Sequence, residues 1–401
     1  MSNVSCVECR GRLLSCGRKY CPVLALKSQT VYLRTDVDGA SPPAVFVGRL
    51  GYPKVFVGPL VPPVKGDTSI LDFPERWFGR GLNELIQMRR VLIRGMKPLR
   101  IKDVWCGLAN ELQELALSSK SPDVEMKLER APSPVLRFSE IEAPFGPSAS
   151  MLSMKVGSTN WHPLLEKVYA DVDLSATEGM LKLYKGGAPV SAISKALSVG
   201  ALGRGPLRRF VPTRWAITAT DDTIGKAQVA KIKHFETIDK PRVYYLEYLD
   251  NRWVAVMFPR KWMYELIEAW FPGSTWNMYG KEPSIVHDWE GYNGRKEYAR
   301  IGGCYYAARL ASAEALMREN RQAAVLIMRE SHEGYSVPIG VWNVRESVRA
   351  MLKQPYQTFE SEISAINYAF SKMTIPSNRW IQNSGVLKQI LFQKTLDDFA
   401  T

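Results

Sequence analysis

The chain has 401 residues, 46% of them hydrophobic and 23% charged, which is the composition of a soluble globular protein and allows a large core in two or three domains. Lys plus Arg number 53 against 40 Asp plus Glu, a formal charge of +13 that favours a polyanionic partner, nucleic acid or an anionic membrane surface. No uninterrupted apolar run reaches a membrane span, and Met1 to Arg12 carry polar groups in place of a signal core, so a cytoplasmic protein with no membrane partner is expected.

Four of the 6 cysteines fall within the first 21 residues, Cys6, Cys9, Cys16 and Cys21, spaced C-x2-C-x6-C-x4-C. Four thiolates so close together can surround one structural zinc tetrahedrally, with Arg10, Arg12, Arg18 and Lys19 favouring the charged sulfurs. An iron–sulfur cluster is the alternative ligand for the same spacing. Cys106 and Cys304 are isolated, as buried cysteines commonly are.

The stretches 31–34, 44–48 and 54–58 read as short strands, the last two joined by a turn at RLGYP, with Pro59, Pro62 and Pro63 then breaking the sheet. Residues 82–94 have helical apolar spacing and Gly95 stands where a helix would stop. Residues 104–129 mix helical and irregular features. The proline-rich run 131–147 and the Gly/Ser/Ala-rich run 186–206 are each a domain boundary or a loop.

From about residue 211 the pattern is that of an α+β domain. Residues 215–220, 243–249 and 252–258 read as strands, with Asp250 and Asn251 turning between the last two. Residues 305–320 and 346–354 read as helices, and the apolar run 323–330 as either a buried strand or a core helix.

Two constellations carry chemistry. Arg204, Arg208, Arg209 and Arg214 lie beside Phe210 and Trp215, and guanidinium groups clamp phosphates while aromatic rings stack bases, so this stretch is the candidate DNA contact. Asp221 and Asp222, and further on His287, Asp288 and Glu290, are candidate catalytic groups that Mg²⁺ or Mn²⁺ would need for phosphoryl transfer. Against that reading, DDTIG also fits a polar turn, and HDWEGYNGRK an ordered surface loop with Arg295 holding an anion. There is no G-x-x-x-x-G-K-[ST] loop, dinucleotide fingerprint or H-E-x-x-H, which argues against ordinary ATPases, dehydrogenases and zinc proteases.

Near the C-terminus, Gln393, Leu396 and Phe399 follow the spacing of a sliding-clamp-binding motif. One helical turn places Leu396 and Phe399 on the same side as an apolar plug. Ala400 stands where many such motifs have a second aromatic ring, which lowers the expected affinity. The preceding WIQNSGVLKQILF is expected to be a helix or arm carrying the plug away from the body.

Together the segments CVECRGRLLSCGRKYCP, PTRWAITATDD, HDWEGYNGRKEY, PIGVWNVRESVR and QKTLDDFA resemble the archaeal Nre family of DNA repair proteins over nearly the whole chain. The resemblance implies a role in DNA damage repair, the sliding clamp PCNA as partner, metal at Cys6, Cys9, Cys16 and Cys21, and clamp anchoring by Gln393, Leu396 and Phe399. It implies no particular reaction. A metal-dependent nuclease and a non-enzymatic clamp-bound adaptor remain the alternatives to a DNA-binding repair factor. The expected architecture is α+β: a zinc segment at 1–25, an N-terminal α+β region at 26–145, a basic α+β domain at 146–380, and an arm at 381–401 bearing the clamp motif at 393–400.

Overall fold

The computed structural model describes residues 34–132 and 137–392. The four-cysteine segment and the motif at 393–400 lie outside the described residues. The chain divides into two compact units, which among the described residues comprise 34–224 with 338–342, and 225–337 with 343–392. The runs 131–147 and 186–206 both lie inside the first unit.

The first unit is built on a six-stranded sheet. Its elements are β1 (Asp36–Ala40), β2 (Val45–Val47), β3 (Lys54–Val61), α1 (Leu82–Arg90), β4 (Ile93–Arg100), α2 (Gly107–Leu117), β5 (Asp123–Leu128) and β6 (Ser148–Val156). Three further helices follow, α3 (Pro163–Ala170), α4 (Ala176–Lys185) and α5 (Val190–Ser198), and then α6 (Thr213–Ile232), whose residues from Gly225 on belong to the second unit. The strand order is β1-β5-β6-β4-β3-β2, with β4 and β6 parallel and the other neighbours antiparallel.

The hairpin expected around RLGYP is present, with Val45 facing Pro59 and Val47 facing Val57. The sheet does not stop at the prolines, however. Strand β3 continues through Pro59 to Val61, and its ladder with β4 passes from Val57↔Lys97 to Leu60↔Arg94, so the missing N–H of Pro59 falls in an interruption of that ladder. The helix read over 82–94 ends at Arg90, and Gly95 lies inside β4. It is small because a Cβ there would sit 2.4 Å from the Met126 sulfur, while one on Gly58 would sit 1.9 Å from the Gly95 carbonyl oxygen. These glycines let backbones and core side chains approach, rather than ending a helix.

The largest departure is α6. Residues 215–220, read as a strand, and DDTIG, read as a turn, both belong to one helix of 20 residues. Trp215, Ile217, Thr218 and Thr220 have strand propensity, but Ala216, Thr220 and Ile224, four apart, are wholly buried along one line. Thr218 hydroxyl donates back to the Arg214 carbonyl at 3.4 Å, satisfying itself within the helix.

The second unit carries β7 (Arg242–Tyr248), β8 (Asn251–Phe258), β9 (Met263–Trp270), β10 (Ser284–Glu290), α7 (Gly303–Glu319), β11 (Ala324–Ser331), α8 (Trp342–Met351) and β12 (Gln357–Thr358). It ends in α9 (Glu362–Ser371), α10 (Ser377–Asn383) and α11 (Gly385–Phe392). Its sheet runs β10-β9-β11-β8-β7-β12, with β9 and β11 parallel. The hairpin between β7 and β8 forms, but its turn lies one residue earlier than expected: Leu249 and Asp250 take φ 50° and 53°, the left-handed pair that a tight hairpin needs, and Asn251 already opens β8, paired with Tyr248.

The apolar run at 323–330 resolves into β11, buried along its whole length. One face packs through Ala324, Leu326 and Met328 against Ile366, Trp380 and Leu387 of the C-terminal helices. Towards α7, Tyr264 hydroxyl donates to the Tyr305 carbonyl at 3.0 Å. A strand covered on both faces loses the alternation that would identify it. Residues 380–392 are therefore no arm held away from the body: Trp380, Val386 and Leu387 are wholly buried in this core.

Candidate nucleic-acid interface

Three backbone segments of the first unit meet at the β2–β3 hairpin. Ile101 N–H donates to the Pro53 carbonyl at 3.0 Å, and Phe210 N–H donates to the Ile101 carbonyl at 2.8 Å. Val47 N–H donates to the Thr213 hydroxyl at 2.9 Å, fixing the start of α6 against β2. This stitching brings the ring of Trp215 to 5.1 Å from that of Tyr52, tilted by 56°. Both rings face water, Trp215 being 43% and Tyr52 46% exposed, with Leu50 and Phe56 also exposed on the same hairpin. Lys54, Arg100, Lys102 and Arg209 on these segments are exposed, and none forms an ion pair among the described residues. Strand register sets Lys54 directly opposite Arg100. Two tilted, exposed rings on segments that carry four exposed cations form a surface on which bases can stack while phosphates are neutralised.

The six residues expected to contact DNA divide sharply. Arg204, Arg209 and Trp215 are exposed. Arg208 is buried, donating to the carbonyls of Gly203 at 2.8 Å, Tyr169 at 2.6 Å and Asp171 at 3.3 Å, and stacking on the Tyr169 ring. That burial lowers its pKa. Phe210 is a core residue, and Arg214 is largely covered and paired with Glu140 at 3.3 Å. Tyr52 went unnoticed in the sequence because RLGYP reads simply as a turn, and Lys54 and Arg100 because only the fold brings them beside Trp215. The signal for Tyr52 was an apolar residue and an aromatic, Leu50 and Tyr52, flanking the turn glycine where polar residues are usual.

The candidate catalytic groups are divided between the units. Asp221 is wholly buried and Asp222 half-buried in the part of α6 that belongs to the first unit. In the second unit, Glu290 accepts from Trp262 Nε1 at 3.1 Å and Tyr305 hydroxyl at 2.9 Å, and pairs with Arg309 at 3.0 Å. Asp288 pairs with Arg295 at 3.0 Å and accepts from Ile301 N–H at 2.9 Å, so the guanidinium expected to hold an anion is held by Asp288. His287 Nδ1 lies 2.8 Å from Glu265, which also accepts from the Gly385 and Val386 N–H groups that open α11. These side chains brace the tight turn at Gly291–Gly294, whose Tyr292 ring lies under Lys233 at 4.8 Å. Among the described residues no group of three or more His, Cys, Asp and Glu side chains is placed to hold a metal ion, and no helix is long and apolar enough to cross a membrane.

Comparison with known proteins agrees with the segments that carried the resemblance. The family profile for the archaeal Nre N-terminal region matches residues 15–277, and that for the archaeal Nre C-terminal region matches residues 290–399. The chain is 43% identical to DNA repair protein NreB of Archaeoglobus fulgidus over 400 residues, covering 99% of this chain and 100% of the relative. It is 36% identical to DNA repair protein NreA of the same organism, covering 92% and 94%. DNA repair protein NreA of Haloferax volcanii is 36% identical, covering 78% and 77%. No solved structure matches the chain significantly. The chain belongs to the archaeal Nre family. Within it, the chain is similar to both NreB and NreA proteins.

Proposed function

We propose that this protein is a DNA repair factor of the archaeal cytoplasm that holds DNA on the Tyr52–Trp215 surface and is tethered to the sliding clamp PCNA through residues 393–400. The observation that carries DNA contact is the exposed ring pair at 5.1 Å set among Lys54, Arg100, Lys102 and Arg209. The relatives, each named a DNA repair protein, support repair as the setting. Clamp binding rests on Gln393, Leu396, Phe399 and Ala400, and a structural zinc on Cys6, Cys9, Cys16 and Cys21. The reading is of binding rather than catalysis, because Asp288 and Glu290 are engaged by arginines and His287 by Glu265.

The test is a fluorescence-anisotropy titration of single-stranded and duplex DNA at several salt concentrations. Affinity should fall steeply with salt, with a slope of about −0.7 per neutralised phosphate on single strands, and should depend little on base sequence. Undetectable binding at low salt would refute DNA contact.

A further inference from the structure

The first unit contains a cleft of about 1010 Å³ that the DNA-contact surface does not use. Loops at 66–73, 118–123, 157–162 and 186–191 converge around it. Its lining includes the apolar Ala116, Leu164, Leu165, Leu183 and Ala188 together with Ser69, Ser119, Ser158 and Ser191. That mixture of apolar side chains with a few polar groups is typical of small-molecule sites.

The charges around the cleft decide which ligand fits. Asp72 is engaged by Arg89 at 2.6 Å and by Lys195 at 2.8 Å. Asp123 faces Lys65 at 3.4 Å. Asp67 accepts from Ser69 N–H at 2.9 Å and Ser121 hydroxyl at 3.3 Å, contacts that together with the nearby Arg76 charge hold its carboxyl below the usual range. Glu75 accepts from both the N–H and the hydroxyl of Ser191, at 2.9 and 2.7 Å, which pins the start of α5. His162 uses Nδ1 to cap α3, accepting from Leu164 N–H at 3.2 Å. Arg76 and Lys120 remain: both line the cleft, both are exposed, and neither forms an ion pair among the described residues. The Arg76 guanidinium is poised 4.8 Å over the Phe73 ring, which orients it without neutralising it.

We infer that this cleft binds a 5′-phosphorylated nucleoside, with its phosphate on Arg76 and Lys120 and its base against the apolar side chains. A phosphate alone would leave those side chains in water, and a nucleoside alone would offer neither Arg76 nor Lys120 an anionic ligand. The same chemistry is presented by a free nucleotide and by the phosphorylated end of a DNA strand. The strand-end form rests on the DNA contact proposed above; the free-nucleotide form does not.

Calorimetry on the full chain with deoxyadenosine 5′-monophosphate, deoxyadenosine and inorganic phosphate tests the inference, alongside anisotropy with one oligonucleotide carrying either a 5′-phosphate or a 5′-hydroxyl. The monophosphate, or the 5′-phosphorylated strand, should bind at least tenfold more tightly than its dephosphorylated form. The double substitution Arg76→Ala, Lys120→Ala should remove that preference. Ala188→Phe, which fills the cleft without touching either cation, should weaken the same ligand. A preference for the free monophosphate with no effect of the 5′-phosphate on DNA assigns the site to nucleotides, and the converse assigns it to strand ends. Equal binding of phosphorylated and dephosphorylated forms in both assays, or a preference unchanged by both variants, would overturn the inference. DNA affinity conferred by Trp215 is read from the 5′-hydroxyl strand, so the two proposals fail separately.

Discussion

The rings of Trp215 and Tyr52 stand 5.1 Å apart although 163 positions separate them in the chain, and both remain nearly half exposed. A buried aromatic pair is explained by the core it fills. This one leaves its faces in water, held there by the Val47 to Thr213 and Phe210 to Ile101 hydrogen bonds.

Trp215→Ala should weaken single-stranded DNA binding by roughly five- to 150-fold, the effect of about 1–3 kcal/mol for one stacked base. Tyr52→Ala should act in the same direction. Because both rings are partly exposed, thermal unfolding should move little. Anisotropy titration with a melting curve on each variant separates the two effects.

Neighbouring arginines should behave oppositely. Arg208→Ala removes a buried guanidinium and leaves the carbonyls of Gly203, Tyr169 and Asp171 without their donor, which should cost about 1–3 kcal/mol of stability. Arg209→Ala should leave stability within about 0.5 kcal/mol while reducing the salt dependence of DNA binding. Denaturant melts and salt titrations of the two single variants decide this.

Stability of the second unit should respond to acid through Glu330. Burial works to raise its pKa, but His332, 3.5 Å away, and the N–H groups of Ile375 and Thr374 outweigh that and hold it below the ordinary value of 4.5. A carboxyl lowered on folding stabilises the fold above its unfolded pKa, and that contribution is lost as pH falls through the folded value. Glu330→Gln should therefore be destabilised at pH 7, by about 1.5–3 kcal/mol for the weakened charged hydrogen bonds, and should approach the unsubstituted protein as the pH falls below the ordinary carboxyl value of 4.5 and through the lower folded value. Urea melts from pH 7 to pH 3 would show the two curves converging.

The two terminal motifs are tested apart from the DNA surface. Calorimetry with the clamp of the same organism should show binding by the full chain, weaker binding by Phe399→Ala, and none by a chain ending at Phe392. Equal affinity for all three would remove residues 393–400 as the anchor. Elemental analysis should find one zinc per chain and less in Cys9→Ser.

What could be read from the sequence followed from local signals. The hairpins at 44–58 and 243–258 carry β-rich runs around a turn, and both form. The helices at 303–319 and 342–351 also appear where apolar spacing placed them, within a few residues. The misreadings came from tertiary burial. Residues Trp215 to Thr220 look like a strand, yet a helix there buries Ala216 and Thr220 together. Gly95 looks like a helix stop, yet it is small because Met126 and Met151 crowd it across the sheet. For the candidate site, Trp215 and Arg209 were visible as an aromatic and a cation in one stretch. Tyr52, Lys54 and Arg100 were not, since only the fold brings them to that stretch. Nor does sequence distinguish Arg208, which is enclosed by carbonyls, from Arg209, which is exposed.

The most direct measurement is photocrosslinking of an oligothymidylate to the full chain, with the adducts mapped by mass spectrometry. Contact between bases and the exposed ring pair predicts adducts on Tyr52 or Trp215, which disappear when salt is raised enough to release the DNA. Adducts confined to other parts of the chain, under conditions where the DNA is bound, would contradict it.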